Sequence, residues 1–157
     1  MTRTYVITGS ASGIGQATAE KLKALGNTVI GVDIHNADVV ADLSTPQGRI
    51  DAAKKAIDLS QNSIDVVIAC AGLAHPTSTT VSVNYFGVTE FLNELLPTIT
   101  QSKTPRVVIT SSVASIMPNS SELVEAMCAN DETKAVAIAQ SLVDAGGGGE
   151  ALIYGST

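Results

Sequence analysis

Thr8-Gly9-Ser10-Ala11-Ser12-Gly13-Ile14-Gly15 is the stretch on which the fold turns. Before it, Thr4 to Thr8 (TYVIT) is a short apolar run that reads as a buried strand. After it, Ile14 to Leu25 carries Ile14, Ala17, Thr18, Lys21, Leu22 and Leu25 at helical spacing, with Gly26 as the stop. Glycines between a strand and a helix let the chain turn sharply and let backbone approach a bound group with no Cβ in the way. A helix N-terminus adds unpaired N–H donors and the positive end of the helix dipole, a setting that suits the pyrophosphate of a dinucleotide. A tight strand-to-helix turn that binds nothing would use the same glycines, so the pattern needs support from the rest of the chain.

That support comes from Asp33. It ends a second apolar run, Thr28 to Asp33 (TVIGVD), 18 positions after Gly15. An acid about 20 residues beyond the last glycine is where a carboxylate would accept hydrogen bonds from the adenosine ribose hydroxyls. It would also repel a 2′-phosphate, and no Arg or Lys lies in 10–15 or at 34 or 35 to neutralise one. The expected cofactor is therefore NAD, in preference to NADP, with a solvated or helix-capping Asp33 as the bland alternative.

The alternation then continues. A helix is expected from about Pro46 to Leu59, a strand over Asp65 to Ala69, a long helix from Val81 to about Ile99 and a strand over Arg106 to Thr110. Strands that are apolar throughout, alternating with helices, predict an α/β fold of the Rossmann type, a doubly wound parallel sheet with helices on both faces. Beyond Thr110 the regularity breaks. Ser121 to Ala129 and Glu132 to Val143 each carry a helical apolar stripe, Gly146 to Gly149 is a flexible joint, and Leu152-Ile153-Tyr154 begins a further element. The expectation is one incomplete dinucleotide-binding domain over 1–157, with a helical insertion at about 117–147 and its C-terminal part missing.

Composition narrows the function classes. Of the 157 residues, 45% are apolar and 15% charged, which argues against disorder. A net charge of −6 provides no basic footprint for nucleic acid or an anionic membrane. No apolar run approaches the ~20 residues of a membrane span, and the N-terminus does not read as a signal peptide. Cys70 and Cys128 form no CxxC, and His35 and His75 have no ligand-like neighbours, so no metal site is expected. The cysteines and Met117 and Met127 read as packing residues, and His75-Pro76 as a loop. A cytoplasmic protein acting on a small molecule is the expectation.

The string TGSASGIG resembles the cofactor motif of the short-chain dehydrogenase/reductase family, and the resemblance runs along the whole chain. It implies cofactor contacts at Gly9, Ser10, Ala11, Ser12, Gly13, Ile14 and Gly15. Asp42-Leu43 resembles the family's adenine-contacting acid–hydrophobe pair. Ala69-Cys70-Ala71-Gly72 resembles its Asn-Asn-Ala-Gly motif with both asparagines replaced, which leaves backbone contacts at Ala71 and Gly72. Asn84, in Val83-Asn84-Tyr85-Phe86-Gly87, matches the helix asparagine of the catalytic tetrad. Ser112 matches the catalytic serine; Ser111 is its rival, but alternation from Val108 puts 108, 110 and 112 on one face. Tyr154-Gly155-Ser156-Thr157 looks like the start of the Tyr-x-x-x-Lys motif, whose lysine would come next. Ser112 and Tyr154 stand 42 positions apart, far more than the family usually allows. With VVADLST, CAGLA, VSVNYFG and SSVAS, this gap resembles the bacterial 3α-hydroxysteroid dehydrogenase/carbonyl reductase subgroup.

The resemblance implies an NAD-dependent oxidoreductase interconverting a secondary alcohol and a ketone, a hydroxysteroid or another carbonyl compound. A phenol, with a free pKa near 10, is a weak base at neutral pH unless positive charge lowers it. In the family the motif lysine and the oxidised nicotinamide do so, the serine fixes the substrate oxygen, and the asparagine holds a water in a relay towards the lysine. The 157-residue chain alone is expected to be inactive, and the complete protein to be a homodimer. A non-catalytic dinucleotide-binding module and an inert fragment are the alternatives; neither would need Asn84, Ser112 and Tyr154 together.

Overall fold

The computed structural model describes residues 2–157. They form two compact units, one from residues 2–71 and 88–110, the other from 72–87 and 111–157.

The first unit is a five-stranded, wholly parallel sheet. Its strands are β1 (Thr4–Thr8), β2 (Thr28–Asp33), β3 (Val39–Val40), β4 (Val66–Ala69) and β5 (Arg106–Ile109). They lie in the order β3-β2-β1-β4-β5. The two-residue β3 is too short to leave an apolar period in the sequence, and no strand is expected there. Helices α1 (Gly13–Ala24), α2 (Pro46–Leu59) and α4 (Gly87–Ile99) accompany the sheet. Successive side chains of a strand point to opposite faces, and β1 shows both destinations. Val6 joins Ile30, Val32 and Val67 beneath Ala52, Ala56, Phe91 and Leu95 of α2 and α4. Ile7 turns the other way, with Val29, to meet Ala19 and Leu22 of α1. Both faces are thus covered over the central strands, as a parallel sheet requires.

Two expectations change here. β5 is an edge strand, and Val107, Val108 and Ile109 are 46%, 50% and 55% exposed, so its apolar run is not covered on both faces. The inner stripe of α1 is Gly15, Ala19 and Leu22; Ile14 and Leu25 face solvent, because at 3.6 residues per turn both lie about a quarter turn away from that stripe.

The expected long helix over 81–99 divides into α3 (Ser78–Val81), a π-helical turn (Ser82–Phe86) and α4. A π turn holds one more residue than an α turn, so the apolar period shifts stripe at that point. The second unit also contains a 3₁₀ turn (Val113–Ile116), α5 (Ser121–Cys128), α6 (Glu132–Ala145) and α7 (Ala151–Ser156). Its core is Val81 and Phe86 with Leu123, Ala126, Met127, Ala135, Ala139 and Ile153. Side-chain caps start the two amphipathic helices: Ser120 accepts the Leu123 N–H, and Asp131 the Lys134 N–H. Cys128 and Met117 lie exposed and Cys70 half-buried, so among the sulfur-bearing residues described only Met127 is a core residue.

Candidate functional site

In a sheet ordered β3-β2-β1-β4-β5 the strand order reverses between β1 and β4, and the crevice beyond the carboxyl ends of those two parallel strands is where such sheets bind ligands. The glycine turn opens there. Gly9 has φ +68°, and a Cβ on it would lie 2.8 Å from the Ala71 nitrogen, so the turn lies directly against the chain leaving β4. A Cβ on Gly15 would overlap the Gly9 carbonyl oxygen, which makes glycine obligatory where α1 closes onto the turn. Gly13 has φ +53° with open space where its Cβ would be. Ser12 stands at the N-cap of α1 without spending its side chain on a cap bond. The turn is therefore a backbone cradle at the mouth of a 12-residue helix, and the residues present fit a pyrophosphate.

Asp33 is tied to this cradle. Its Oδ2 accepts the Ala11 N–H at 2.9 Å and its Oδ1 the Ile34 N–H at 2.7 Å. The carboxylate that the sequence assigns to a ribose thus also braces the glycine turn. Ser10 sits over Gly31 of β2, where any Cβ would overlap the Ser10 hydroxyl. Thr8, to which the sequence reading gives no role, is a second brace. Its buried hydroxyl oxygen accepts the Cys70 N–H at 3.2 Å and the Ala71 N–H at 3.1 Å, joining the ends of β1 and β4. The signal for it is a threonine at a strand end directly before the first glycine. Asp42 is exposed, whereas the Leu43 side chain is packed in the core and offers a ligand only its backbone.

The candidate catalytic residues all fall in the second unit. Asn84 lies in the π turn, a feature often found at functional sites. Its amide works as a clamp: Oδ1 accepts the Leu73 N–H at 2.8 Å, while Nδ2 donates to the Leu73 carbonyl at 2.9 Å and to Thr157 Oγ1 at 3.2 Å. Gly72 precedes this loop, and a Cβ on it would sit 3.4 Å from Asn84 Oδ1. Ser112 is the N-cap of the 3₁₀ turn, its Oγ accepting the Ala114 N–H at 3.2 Å. Strand geometry stops at Ile109, so alternation counted from Val108 does not reach Ser112; the capping contact, not the strand face, fixes its side chain.

Tyr154 sits in α7. So short a helix would not persist alone, but three neighbours hold it. Ile153 is fully buried, Ser156 Oγ accepts the Ser120 N–H at 3.0 Å, and Thr157 reaches Asn84. Gly155 is the tightest point, since a Cβ there would lie 2.7 Å from the Pro118 carbonyl oxygen and 3.5 Å from that of Ala114. The backbone of the Tyr154 turn is thereby pressed against the segment that Ser112 begins.

A sequence model described as short chain dehydrogenase matches residues 3–124. The chain belongs to the short-chain dehydrogenase family. This short-chain dehydrogenase is 40% identical over 147 residues to the 3-alpha-hydroxysteroid dehydrogenase/carbonyl reductase of Comamonas testosteroni, covering 90% of this chain and 57% of that one. It is 39% identical over 95 residues to the coniferyl-alcohol dehydrogenase of Pseudomonas sp. strain HR199, covering 57% of this chain and 36% of that one. The crystal structure of the 3-alpha-hydroxysteroid dehydrogenase from Pseudomonas sp. B-0831, complexed with NADH, superposes with a TM-score of 0.88 at 40% identity. That superposition covers 98% of this chain and 66% of the solved one. The short-chain dehydrogenase described here thus spans just over half the length of its Comamonas relative. Among its described residues no group of three or more His, Cys, Asp or Glu could hold a metal, and no helix is long and apolar enough to cross a membrane.

Proposed function

We propose that this chain is the NAD-binding, serine- and tyrosine-bearing part of an oxidoreductase that interconverts a secondary alcohol and a ketone. The observation that carries the catalytic reading is the close approach of Gly155 to the Pro118 and Ala114 carbonyls, which sets the Tyr154 turn on the segment headed by Ser112. A module that only binds a dinucleotide has no use for that arrangement. Bound NAD(H) would supply or accept the hydride. Gly9–Gly15 would hold its pyrophosphate, Asp33 its ribose, and Asp42, Leu43, Ala71 and Gly72 would line the remainder. Ser112 Oγ already accepts one N–H, so its hydrogen is available to donate to a substrate oxygen. Tyr154 would pass a proton to or from that oxygen. Asn84 would act by holding the Leu73 loop and the end of α7 in place.

The names of the two 40%-identical relatives support a hydroxysteroid or other carbonyl substrate. Asp33, with no Arg or Lys at 34 or 35, favours NAD over NADP. The complete protein is proposed to be cytoplasmic and a homodimer, and residues 1–157 alone to fall more than tenfold below it in ketone reduction with NADH. The test is Tyr154→Phe in the complete protein. Loss of positioned proton transfer should lower kcat about 10²- to 10⁴-fold, with NAD binding within twofold of the parent. Turnover that survives the substitution would overturn the assignment of proton transfer to Tyr154.

A further inference from the structure

The most fully buried charged side chain among the described residues is one the proposed reaction does not use. Arg49, in the first turn of α2, has no exposed surface. Its guanidinium donates from Nε to the Leu43 carbonyl at 2.8 Å, from Nη2 to the Ser44 carbonyl at 3.1 Å and from Nη1 to Glu90 Oε2 at 2.7 Å. A buried charge is costly unless it is paired and hydrogen-bonded, and one planar fork meeting three acceptors fulfils both conditions. An apolar side chain could fill the same volume, but it would leave the Leu43 and Ser44 carbonyls without their donor. What the guanidinium adds is therefore shape, and the segment it shapes is 42–44.

The same segment is fixed from two further directions. Thr45 Oγ1 donates to the Asp42 carbonyl at 3.2 Å and accepts the Gly48 N–H at 3.1 Å. A Cβ on Gly48 would overlap the Asp42 carbonyl oxygen, so the first turn of α2 is seated on this loop. Leu43 is plugged into the core with Phe91 and Leu95. Asp42 alone faces outward; its Oδ1 accepts the Ser44 N–H at 2.9 Å, which aims the exposed carboxylate and leaves Oδ2 to meet an amino group.

We propose that Arg49, locked against Glu90, is a positioning residue that holds Asp42, Leu43 and Ser44 in the shape that reads an adenine ring. Because this rests on the dinucleotide reading above, the test separates the two. Binding of NAD and of nicotinamide hypoxanthine dinucleotide, in which a carbonyl oxygen replaces the adenine amine, is measured by calorimetry on the chain without turnover. The parent should bind NAD about tenfold more tightly than the hypoxanthine analogue, one charge-assisted hydrogen bond's worth. Arg49→Lys keeps the charge but not the fork, and should cut that ratio at least threefold. Glu90→Gln keeps an acceptor for Nη1 and should cut it less, in the same direction. Urea unfolding of each variant reports stability separately, and if Arg49→Lys does not fold, Glu90→Gln decides alone. A folded variant that keeps the parent's ratio, or a parent that binds both dinucleotides equally, overturns the proposal. A parent that binds neither overturns the dinucleotide reading itself.

Discussion

Asp33 shows how much one carboxylate can do at the end of a strand. It is proposed to select a ribose, and it accepts the Ala11 N–H of the glycine turn. Removing it should therefore do more than relax cofactor choice. Asp33→Ala should weaken NAD about tenfold, the ~1.5 kcal/mol of a hydrogen bond to a charged group. Adding Ile34→Arg should raise affinity for NADP above that for NAD without restoring the parent's affinity for either. Asp33→Asn, which retains an acceptor for Ala11, should lose less; calorimetric titration of the three variants checks the order. Asp65 illustrates the same economy for stability. The Ser102 hydroxyl, at 2.6 Å, and the Thr4 N–H, at 2.9 Å, hold its carboxyl below the usual carboxylate range, outweighing partial burial, and Arg3 adds to the effect. A group whose folded pKa is depressed contributes its stability above its unfolded pKa and loses it as pH falls through the folded one. The contribution should be complete above about pH 5 and decline below about pH 4. Asp65→Asn should flatten that acid limb in urea midpoints taken across the range; an unchanged slope would put the dependence elsewhere. At this scale Gly9, Gly13, Gly15 and Asp33 are legible in the sequence because their spacing is the signal. Arg49 is not, since its role is set by a partner 41 positions away that no local pattern announces. Thr8 is marked only by its place directly before the first glycine, its partners lying 62 and 63 positions on.

Among the elements, β1, β2 and α2 begin and end where strand and helix signals place them, for each is bounded by an unambiguous turn or cap. The helix over 81–99 is the informative miss. Its apolar residues do recur, but across the π turn the stripe rotates, and Asn84 is the residue that profits. Asn84→Ala should free the Leu73 amide and the end of α7 together. Hydrogen exchange should show faster exchange at Leu73, and three lost hydrogen bonds should lower stability by about 2 kcal/mol. The Tyr154 helix is legible only through its motif, because what stabilises it is tertiary. Gly155→Ala should push α7 off the Pro118 carbonyl and destabilise the protein by about 1–3 kcal/mol. In the complete protein, on the proposed reaction, kcat should fall with little change in the dissociation constant for NAD.

For the molecule as a whole, the sheet's apolar edge and the discontinuous second unit matter most. An edge strand with half-exposed Val107, Val108 and Ile109 invites pairing with other chains. Val108→Lys should reduce the light scattering of residues 1–157 several-fold at an unchanged unfolding midpoint. The order of synthesis adds a second exposure. Residues 2–71 and 88–110 can pair all five described strands once Ile109 leaves the ribosome, whereas Gly72–Gly87 belongs to a unit whose other part has yet to be made. Val81 and Phe86, which end in the core with Leu123, Ala135 and Ile153, must wait uncovered for those partners to be translated. The nascent chain thus passes through an interval in which five paired strands carry an unfinished, apolar loop. The sequence order of the fold sets the length of that interval, and with it the time during which a chaperone, or another nascent chain, can bind there first.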